Sequence, residues 1–371
     1  RFRPECGALS SASFQALGRC LPRISWLIPL VLCLGALPAE SKPKRSKVLE
    51  GSNFDAAAGE IVYQGICDAS AAVAINANLV VIATDEENRL RLYQRDRGGP
   101  PLQAFDVSAH LGLERGPTET DIEGAARLGG CVYWITSHSR NQDGRFRPNR
   151  LRFFATTFTS TADHGTMRFL GEAYPHLVSD LARAPELARF DFEKAARLAP
   201  KQRGGLNIEG LCATPDNRLL IAFRNPVPNG QALLVPLTNP EQVVMAGQRA
   251  KFGEPILLDL DGLGVRDIAY ADGRYILIAG SFDGQGQSRL FCWAGGNSKP
   301  QLLKRVKLKG LNPEAIAIYP DRGLEEFQLF SDDSSQRQLG KDCSEMKDEF
   351  ARQFRSVRIT HKVEATEPAA H

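Results

Sequence analysis

Residues suited to chemistry recur along this chain in a repeated order. Five short motifs open on an acid: Asp68, Glu123, Glu209, Asp267 and Glu314. Each motif closes on polar residues: Asp85-Glu86-Glu87-Asn88, His138-Ser139-Arg140, Arg224-Asn225, Asp283 and Asp332-Asp333. Carboxylates gathered in one place repel one another unless something compensates them. One answer is a bound divalent cation held by some of Asp68, Glu123, Glu209, Asp267 and Glu314. An all-oxygen set suits Ca²⁺ or Mg²⁺ better than Zn²⁺, because among six histidines only His138 falls within these clusters. The other answer is structural: each acid caps backbone N–H groups of a neighbouring repeat, or pairs with Arg140, Arg224 or Arg266. Both answers stand, and they can hold at different repeats.

The same motifs supply candidates for substrate chemistry. Arg140 and Arg224, with Asn225 beside them, could hold an anionic group, since a guanidinium matches phosphate or carboxylate in a two-point grip. His138 is a candidate general base near neutral pH, and Glu209 a candidate catalytic acid as well as a metal ligand. The plain alternatives are salt bridges for the arginines and a satisfied loop histidine for His138. There is no His-Glu-x-x-His, no Gly-x-Ser-x-Gly, no phosphate loop and no dinucleotide fingerprint.

The elements that must position these residues follow from the repeat. The segments read CDASAAVAINANLVVIATDEEN, IEGAARLGGCVYWITSHSRN, IEGLCATPDNRLLIAFRNP, RDIAYADGRYILIAGSFDG and PEAIAIYPDRGLEEFQLFSDDS. Each holds two short apolar runs separated by turn residues such as Asp216-Asn217 or Asp272-Gly273. Further strand-like runs follow most copies, so four strands per repeat are expected: an all-β chain folded as one propeller rather than a parallel α/β sheet. Only three strands can be counted after Glu314, whereas an unpaired run, Glu60 to Gln64, precedes the first motif. That run is expected to complete the last blade, which gives five blades, with six as the alternative. Labelled A to D from the centre outward, the acids start the A strands and the polar clusters end the B strands. Both therefore converge on one mouth of the central channel. Helical insertions at about 176–205 and 334–354, the latter over Ser344 to Phe354, are expected on that face, where long loops mark a working surface.

Outside the repeats the chain reads differently. An apolar run from Trp26 to Ala36 follows Arg19 and Arg23 and precedes Pro38-Ala39-Glu40, which describes a signal peptide over residues 1–39. The run is short for a membrane span, and an uncleaved anchor is the alternative. Residues 40–58 then read as a linker, 59–363 as the propeller and 364–371 as a tail. Cleavage after Ala39 removes four of 46 basic and one of 43 acidic side chains, which leaves the signs balanced. With no basic stripe interleaved with aromatics, nucleic acid is not expected as a partner. The expected product is a periplasmic or secreted monomer without stable membrane insertion. Of the cysteines beyond the leader, Cys67, Cys131, Cys212, Cys292 and Cys343, most read as buried thiols, and no pair has metal-site spacing.

The stretches GICDASAAVAI, DIEGAARLGGCVYWITSHSRN, GLNIEGLCATPDNRLLIAFRNP, VRDIAYADGRYILIAGSFDG and NPEAIAIYPD resemble a bacterial family defined as domain of unknown function 3616, over roughly Gly65 to Asp333. That family implies no activity. Through IEGLCATPDNRLLIAF the chain is also similar, more loosely, to esterase-like phytase propellers. This second resemblance implies calcium and phosphate-ester hydrolysis, with Glu209 and Arg224 at matching positions. Two functions are carried forward. One is a metal-dependent hydrolase of a phosphate ester, lactone or similar small anionic substrate at the mouth. The other is a non-catalytic propeller that binds a ligand or an envelope protein, its carboxylates structural.

Overall fold

The apolar runs of the motifs form strands, and the strands gather in chain order into four-stranded antiparallel sheets. β1 (Phe54–Gln64) comes first. Blade one holds β2 (Ala71–Ala74), β3 (Leu79–Ala83), β4 (Arg89–Gln94) and β5 (Gln103–Asp106). Blade two holds β6 (Ile122–Leu128), β7 (Cys131–Thr136), β8 (Phe153–Ser160) and β9 (Gly165–Tyr174). Blade three holds β10 (Asn207–Ala213), β11 (Leu219–Asn225), β12 (Ala232–Leu237) and β13 (Ile256–Leu258). Blade four holds β14 (Gly264–Ala271), β15 (Arg274–Gly280), β16 (Arg289–Trp293) and β17 (Gln301–Leu302). Blade five begins with β18 (Pro313–Ile318) and β19 (Glu326–Ser331); a small hairpin of β20 (Arg337–Gln338) and β21 (Lys341–Asp342) intervenes before β22 (Gln353–His361). The computed structural model describes residues 54–361, except 117, 162–163, 309 and 339; the expected leader at 1–39 and tail at 364–371 lie outside the described residues.

The innermost strands close a ring, with β2 beside β6, then β10, β14 and β18, and β18 back beside β2. The last sheet has the order β1-β22-β19-β18, so the N-terminal strand supplies the outer edge of the fifth blade. The chain is thus a five-bladed propeller closed by its own N-terminus, as the strand count implies.

Why the B strands are continuously apolar is now plain: both of their faces are covered. In β11, Leu219, Ile221 and Phe223 pack toward blade two, whereas Leu220 and Ala222 pack toward blade four. In β3, Leu79, Val81 and Ala83 face blade two, while Val80 and Ile82 face blade five. The core is accordingly divided into five apolar clusters, one between each pair of neighbouring blades. A period of two in a strand lets one residue set serve each neighbour.

Among the described residues, the closure is the junction that carries a disulfide. Tyr63 of β1 stacks on Phe354 at 5.2 Å and meets Tyr93 edge-on at 5.3 Å. Its hydroxyl donates to the carbonyl of Arg95. The Gln328 amide donates to Tyr63 Oη, Arg95 O and Ser356 Oγ at 3.1–3.2 Å. A disulfide joins Cys67, before blade one, to Cys343 in the last insertion. Asp333 N donates to Cys67 O at 2.8 Å, and Arg355 grips the Asp333 carboxylate through Nε and Nη2.

The insertion after β9 is helical: α1 (Leu177–Arg183), a 3₁₀ segment Pro185–Phe190, and α2 (Phe192–Ala195). Leu177, Leu181, Leu187 and Phe192 bury themselves against blades two and three. The insertion after β19 differs from expectation. In place of a helix over Ser344 to Phe354 there are two 3₁₀ turns, Cys343–Glu345 and Glu349–Ala351. The segment is tied at too many points to wind: Cys343 by the disulfide, Glu349 by Arg91, and Arg352 by Glu87. On the opposite face, α3 (Pro240–Ala246) fills the long connection between β12 and β13. Among the described residues no helix is long and apolar enough to cross a membrane.

If the closure carries this share of stability, Tyr63→Ala should lower the unfolding free energy by about 3–5 kcal/mol, as large-to-small changes at buried aromatics do. Urea unfolding followed by intrinsic fluorescence measures it; a loss under about 1 kcal/mol would show the N-terminal strand to be dispensable.

Candidate metal centre

A local irregularity aims the side chains at the mouth. In blades two to five the register between the A and B strands slips by one residue at the start of A. It does so between Ile122 and Gly124, Ile208 and Gly210, Val265 and Asp267, and Pro313 and Ala315. Such a bulge leaves one residue unpaired and redirects it. The bulged residues are Glu123, Glu209, Arg266 and Glu314. Blade four therefore presents an arginine where its neighbours present glutamate. Asp267, one residue further on, is buried in the wall. Its carboxylate accepts from Ile268 N at 2.8 Å and from Ile316 N of the next blade at 2.7 Å. Its contacts are those of a backbone cap, apart from the other acids. Blade one has no bulge; Asp68 precedes β2 and accepts from Thr84 Oγ1 at 2.7–2.8 Å and Ser70 Oγ at 3.2 Å.

One half of the mouth is compensated. Glu209 Oε1 accepts from Arg224 Nη1 at 2.6 Å and Asn207 Nδ2 at 2.7 Å, and Arg266 Nε lies 3.4 Å from Oε2. Arg266 also contacts Glu314 and donates to Asn312 Oδ1 at 2.7 Å. Burial works against the charge on Arg266. Glu314, Glu209, Asp332 and Glu123 together outweigh it and hold the guanidinium more firmly protonated than in water. Glu209 and Glu314 thus have arginine partners, the structural answer to their repulsion.

The other half is not. Asp85, Asp121 and Glu123 bring carboxylate oxygens within 4.8 Å of one another. Glu123 has no hydrogen-bond partner among the described residues. Burial pushes its pKa well up, with Asp121, Glu209 and Glu314 adding to the shift and Arg224 opposing it. Burial likewise raises Asp85, helped by Asp68, whose carboxyl is close enough to share a proton. Asp121 is pushed up to about 7 by burial, although Arg150 Nη1 stands 2.8 Å from it and pulls the other way. Asp121 and His138 both adopt left-handed backbone, φ 62° and 53°, an uncommon state for side-chain-bearing residues that tends to collect at functional sites. Of this trio only Glu123 stands among the acids that open the motifs. Asp85 lies in the polar cluster ending the first motif, and Asp121 directly precedes the second; a pattern anchored on Ile122 passes over it.

The remaining candidates are dispersed. His138 is buried beside Thr136 and Arg152, with Nδ1 2.8 Å from Thr136 O; Nε2 is buried without a partner. Burial lowers its pKa to about 4. The ring lies in its own blade, apart from the acid trio. Arg140 donates through Nε to Ala196 O at 2.9 Å and through Nη1 to Gly144 O at 3.0 Å, which fastens the helical insertion rather than facing the channel. Asn225 does the same through Pro200 O at 2.8 Å and Gln202 O at 2.6 Å.

The far end of the channel has a different character. A cavity of about 300 Å³ there is walled mostly by apolar residues of all five A strands, such as Ala72, Ala125, Ala213, Ala269 and Ile316, with Arg127 and Asp272 also lining it. None of the trio reaches it.

Residues 156–325 match the model of a family described as a protein of unknown function (DUF3616), so the resemblance read from the motifs is borne out there. A comparison with curated proteins gives no match. Among solved structures, the chain is similar to the PQQ-bound aldose sugar dehydrogenase of Streptomyces coelicolor, at 13% identity and a TM-score of 0.41, covering 83% of this chain and 100% of that one. It is also similar to a putative glucose dehydrogenase of Thermus thermophilus, at 15% identity and a TM-score of 0.40, covering 81% and 100%. A streptogramin B lyase shows 10% identity and a TM-score of 0.37 over 84% and 100%.

Two outcomes follow for the mouth. Glu209→Gln should lower the melting temperature whether or not a divalent cation is present, because breaking a buried pair strands Arg224; the loss should be about 3–5 kcal/mol. A neutral result in calorimetry would remove Glu209 from the structural network. For His138, the folded pKa of about 4 lies below the ordinary 6.5. Its contribution is therefore complete above about pH 6.5 and is lost as pH falls toward 4. His138→Asn, which tolerates the left-handed backbone, should show a shallower loss of stability across that window than the parent.

Proposed function

We propose that the mouth is a divalent-cation site of an exported hydrolase acting on a small anionic substrate, a phosphate ester or lactone. The observation that carries this reading is the contrast between the two halves. Glu209 and Glu314 have arginine partners, whereas Asp85, Asp121 and Glu123 crowd together with one arginine among them. A cation bound at about 2.3–2.6 Å by each oxygen would draw such oxygens to roughly the spacing they already have. The donors are all carboxylate oxygens, with no His or Cys in the group, which favours Ca²⁺ or Mg²⁺ over Zn²⁺. Asp68 would sit behind Asp85 and orient it, with Thr84 and Ser70 orienting Asp68 in turn. A cation there would polarise a substrate oxygen. The disulfide supports an oxidising compartment, periplasmic or extracellular.

A non-catalytic binding propeller remains the second reading, favoured by the enclosure of His138 away from the mouth.

The test is thermal melting of the chain from residue 40 onward, after chelation and then with Ca²⁺, Mg²⁺ or Mn²⁺ restored. A cation at about a hundred times its dissociation constant adds about 2.7 kcal/mol. The shift should vanish in Glu123→Gln. Turnover of phosphate esters or lactones that follows the same cation would establish the hydrolase. A cation shift with no turnover would leave a cation site without the hydrolase, and no shift with any cation would sink the metal reading and favour the binding propeller with structural carboxylates.

A further inference from the structure

The end of the channel away from the acids is built from small side chains. Ala72, Ala74, Ala125, Ala213, Ala269 and Ala271, from the inner strands of four blades, surround the cavity of about 300 Å³. Ile316 of blade five closes the wall. One layer further out the B strands carry large residues, such as Leu219, Ile221 and Phe223 of β11, and these are fully buried. The small residues are therefore confined to the strands beside the axis. The space belongs to the channel and is not a packing fault between blades.

The charged groups of this end are engaged elsewhere. Arg127 and Asp272 are exposed at the ends of the inner strands of blades two and four. Each is tied sideways to a neighbouring blade. Arg127 Nη1 donates to Ile75 O at 2.7 Å, and Asp272 Oδ2 accepts from Leu324 N at 2.7 Å. The Tyr319 hydroxyl is spent on Gln328 within blade five. Burial holds the Cys212 thiol protonated, and it donates to Ala213 O at 3.3 Å. What remains is an apolar wall crossed by backbone. Each inner strand is the edge of its sheet, and a sheet edge presents unpaired N–H and C=O groups.

We propose that the far end of the channel binds a small neutral molecule of about two fused rings, apolar in body, with hydroxyl or carbonyl groups at its edge. Ligand sites are typically concave and mostly apolar, with a few polar groups that fix orientation. The wall supplies the apolar part, and the strand edges supply the polar part. Size follows from volume. An apolar cavity of about 150 Å³ accepts one benzene ring, so a cavity twice as large accepts roughly two. Neutrality follows from the braces, since Arg127 and Asp272 are of opposite sign and each already holds a neighbouring blade. The site lies at the opposite end from the acids and does not rest on the cation reading.

The probe is 2-naphthol, a neutral two-ring alcohol whose fluorescence can be excited apart from tryptophan. It is titrated into the full chain with a chelator present, so that no divalent cation takes part. The parent should bind it saturably, one molecule per chain. Phenol should bind more weakly, and 1-hydroxypyrene, with four rings, should not enter. Ala213 and Ala269 are half-buried on different blades, so a leucine at either adds its methyl groups to the cavity. Ala213→Leu and Ala269→Leu should each weaken 2-naphthol by at least about tenfold, because apolar pockets discriminate by single carbon groups. Melting without probe checks that both variants fold; should either fail to, the size series on the parent decides alone. No saturable binding by the parent, equal binding of all three probes, or equal affinity in a folded leucine variant would each overturn the site.

Discussion

Everything at the mouth depends on one electrostatic constraint: carboxylates brought together in a narrow channel must be neutralised by protons, arginines or a metal. Two like charges 4–5 Å apart repel by about 3–4 kcal/mol in a partly shielded site, more than a typical hydrogen bond returns. The chain meets the constraint in different ways around one ring. Asp267 accepts two backbone N–H groups and becomes part of a blade junction. Glu209 and Glu314 share Arg266, and Glu209 takes Arg224 as well. Asp85, Asp121 and Glu123 are left with raised proton affinities and one flanking arginine, Arg150.

That arrangement is stable only if the ring cannot relax by spreading. The five inter-blade clusters and the closure prevent it. Each B strand divides its residues between two neighbours, so a blade cannot shift without exposing apolar surface on both sides. The N-terminal strand removes the free edge at which a spreading ring would open. The Cys67–Cys343 disulfide lies next to Asp68 and ties the same junction, so closure and site share a wall. Rigidity of the scaffold is what makes close carboxylates tolerable.

Much of this was legible in the residues. The repeat of two apolar runs and a turn points to five blades with six left open, and the missing strand after Glu314 indicates where the N-terminal strand goes. The convergence of strand starts and ends on one mouth follows from antiparallel pairing alone. What was not legible was the bulge. Aligned by charge, Asp267 matches Glu123, Glu209 and Glu314. Aligned by the residue before the register slip, the series is Ile122, Ile208, Val265 and Pro313, and the matching position is Arg266. A bulge shifts a side chain by one place without changing composition, so hydrophobic periodicity does not reveal it. The helix expected at Ser344 to Phe354 failed for a related reason: tertiary anchors at Cys343, Glu349 and Arg352 override local preference. His138 and Arg140 lie at the strand ends where chain order puts them, yet one turns into its blade and the other into an insertion, and only packing decides that.

The replacement of a fifth acid by Arg266 has a consequence beyond neutralisation. A ring of identical acids would bind a cation on its axis and offer a substrate no preferred orientation. With Arg224 and Arg266 pairing Glu209 and Glu314 of blades three and five, and Asp85, Asp121 and Glu123 crowded on blades one and two, the mouth has a compensated side and a negative side. The helical insertion enters between β9 and β10 and is clamped by Arg140 and Asn225, from blades two and three. Under the proposed cation reading, a cation would sit off the channel axis, on the side of blades one and two. Broken symmetry in the ring is thus what leaves one side of a repeat scaffold with acids that its own arginines do not fully neutralise.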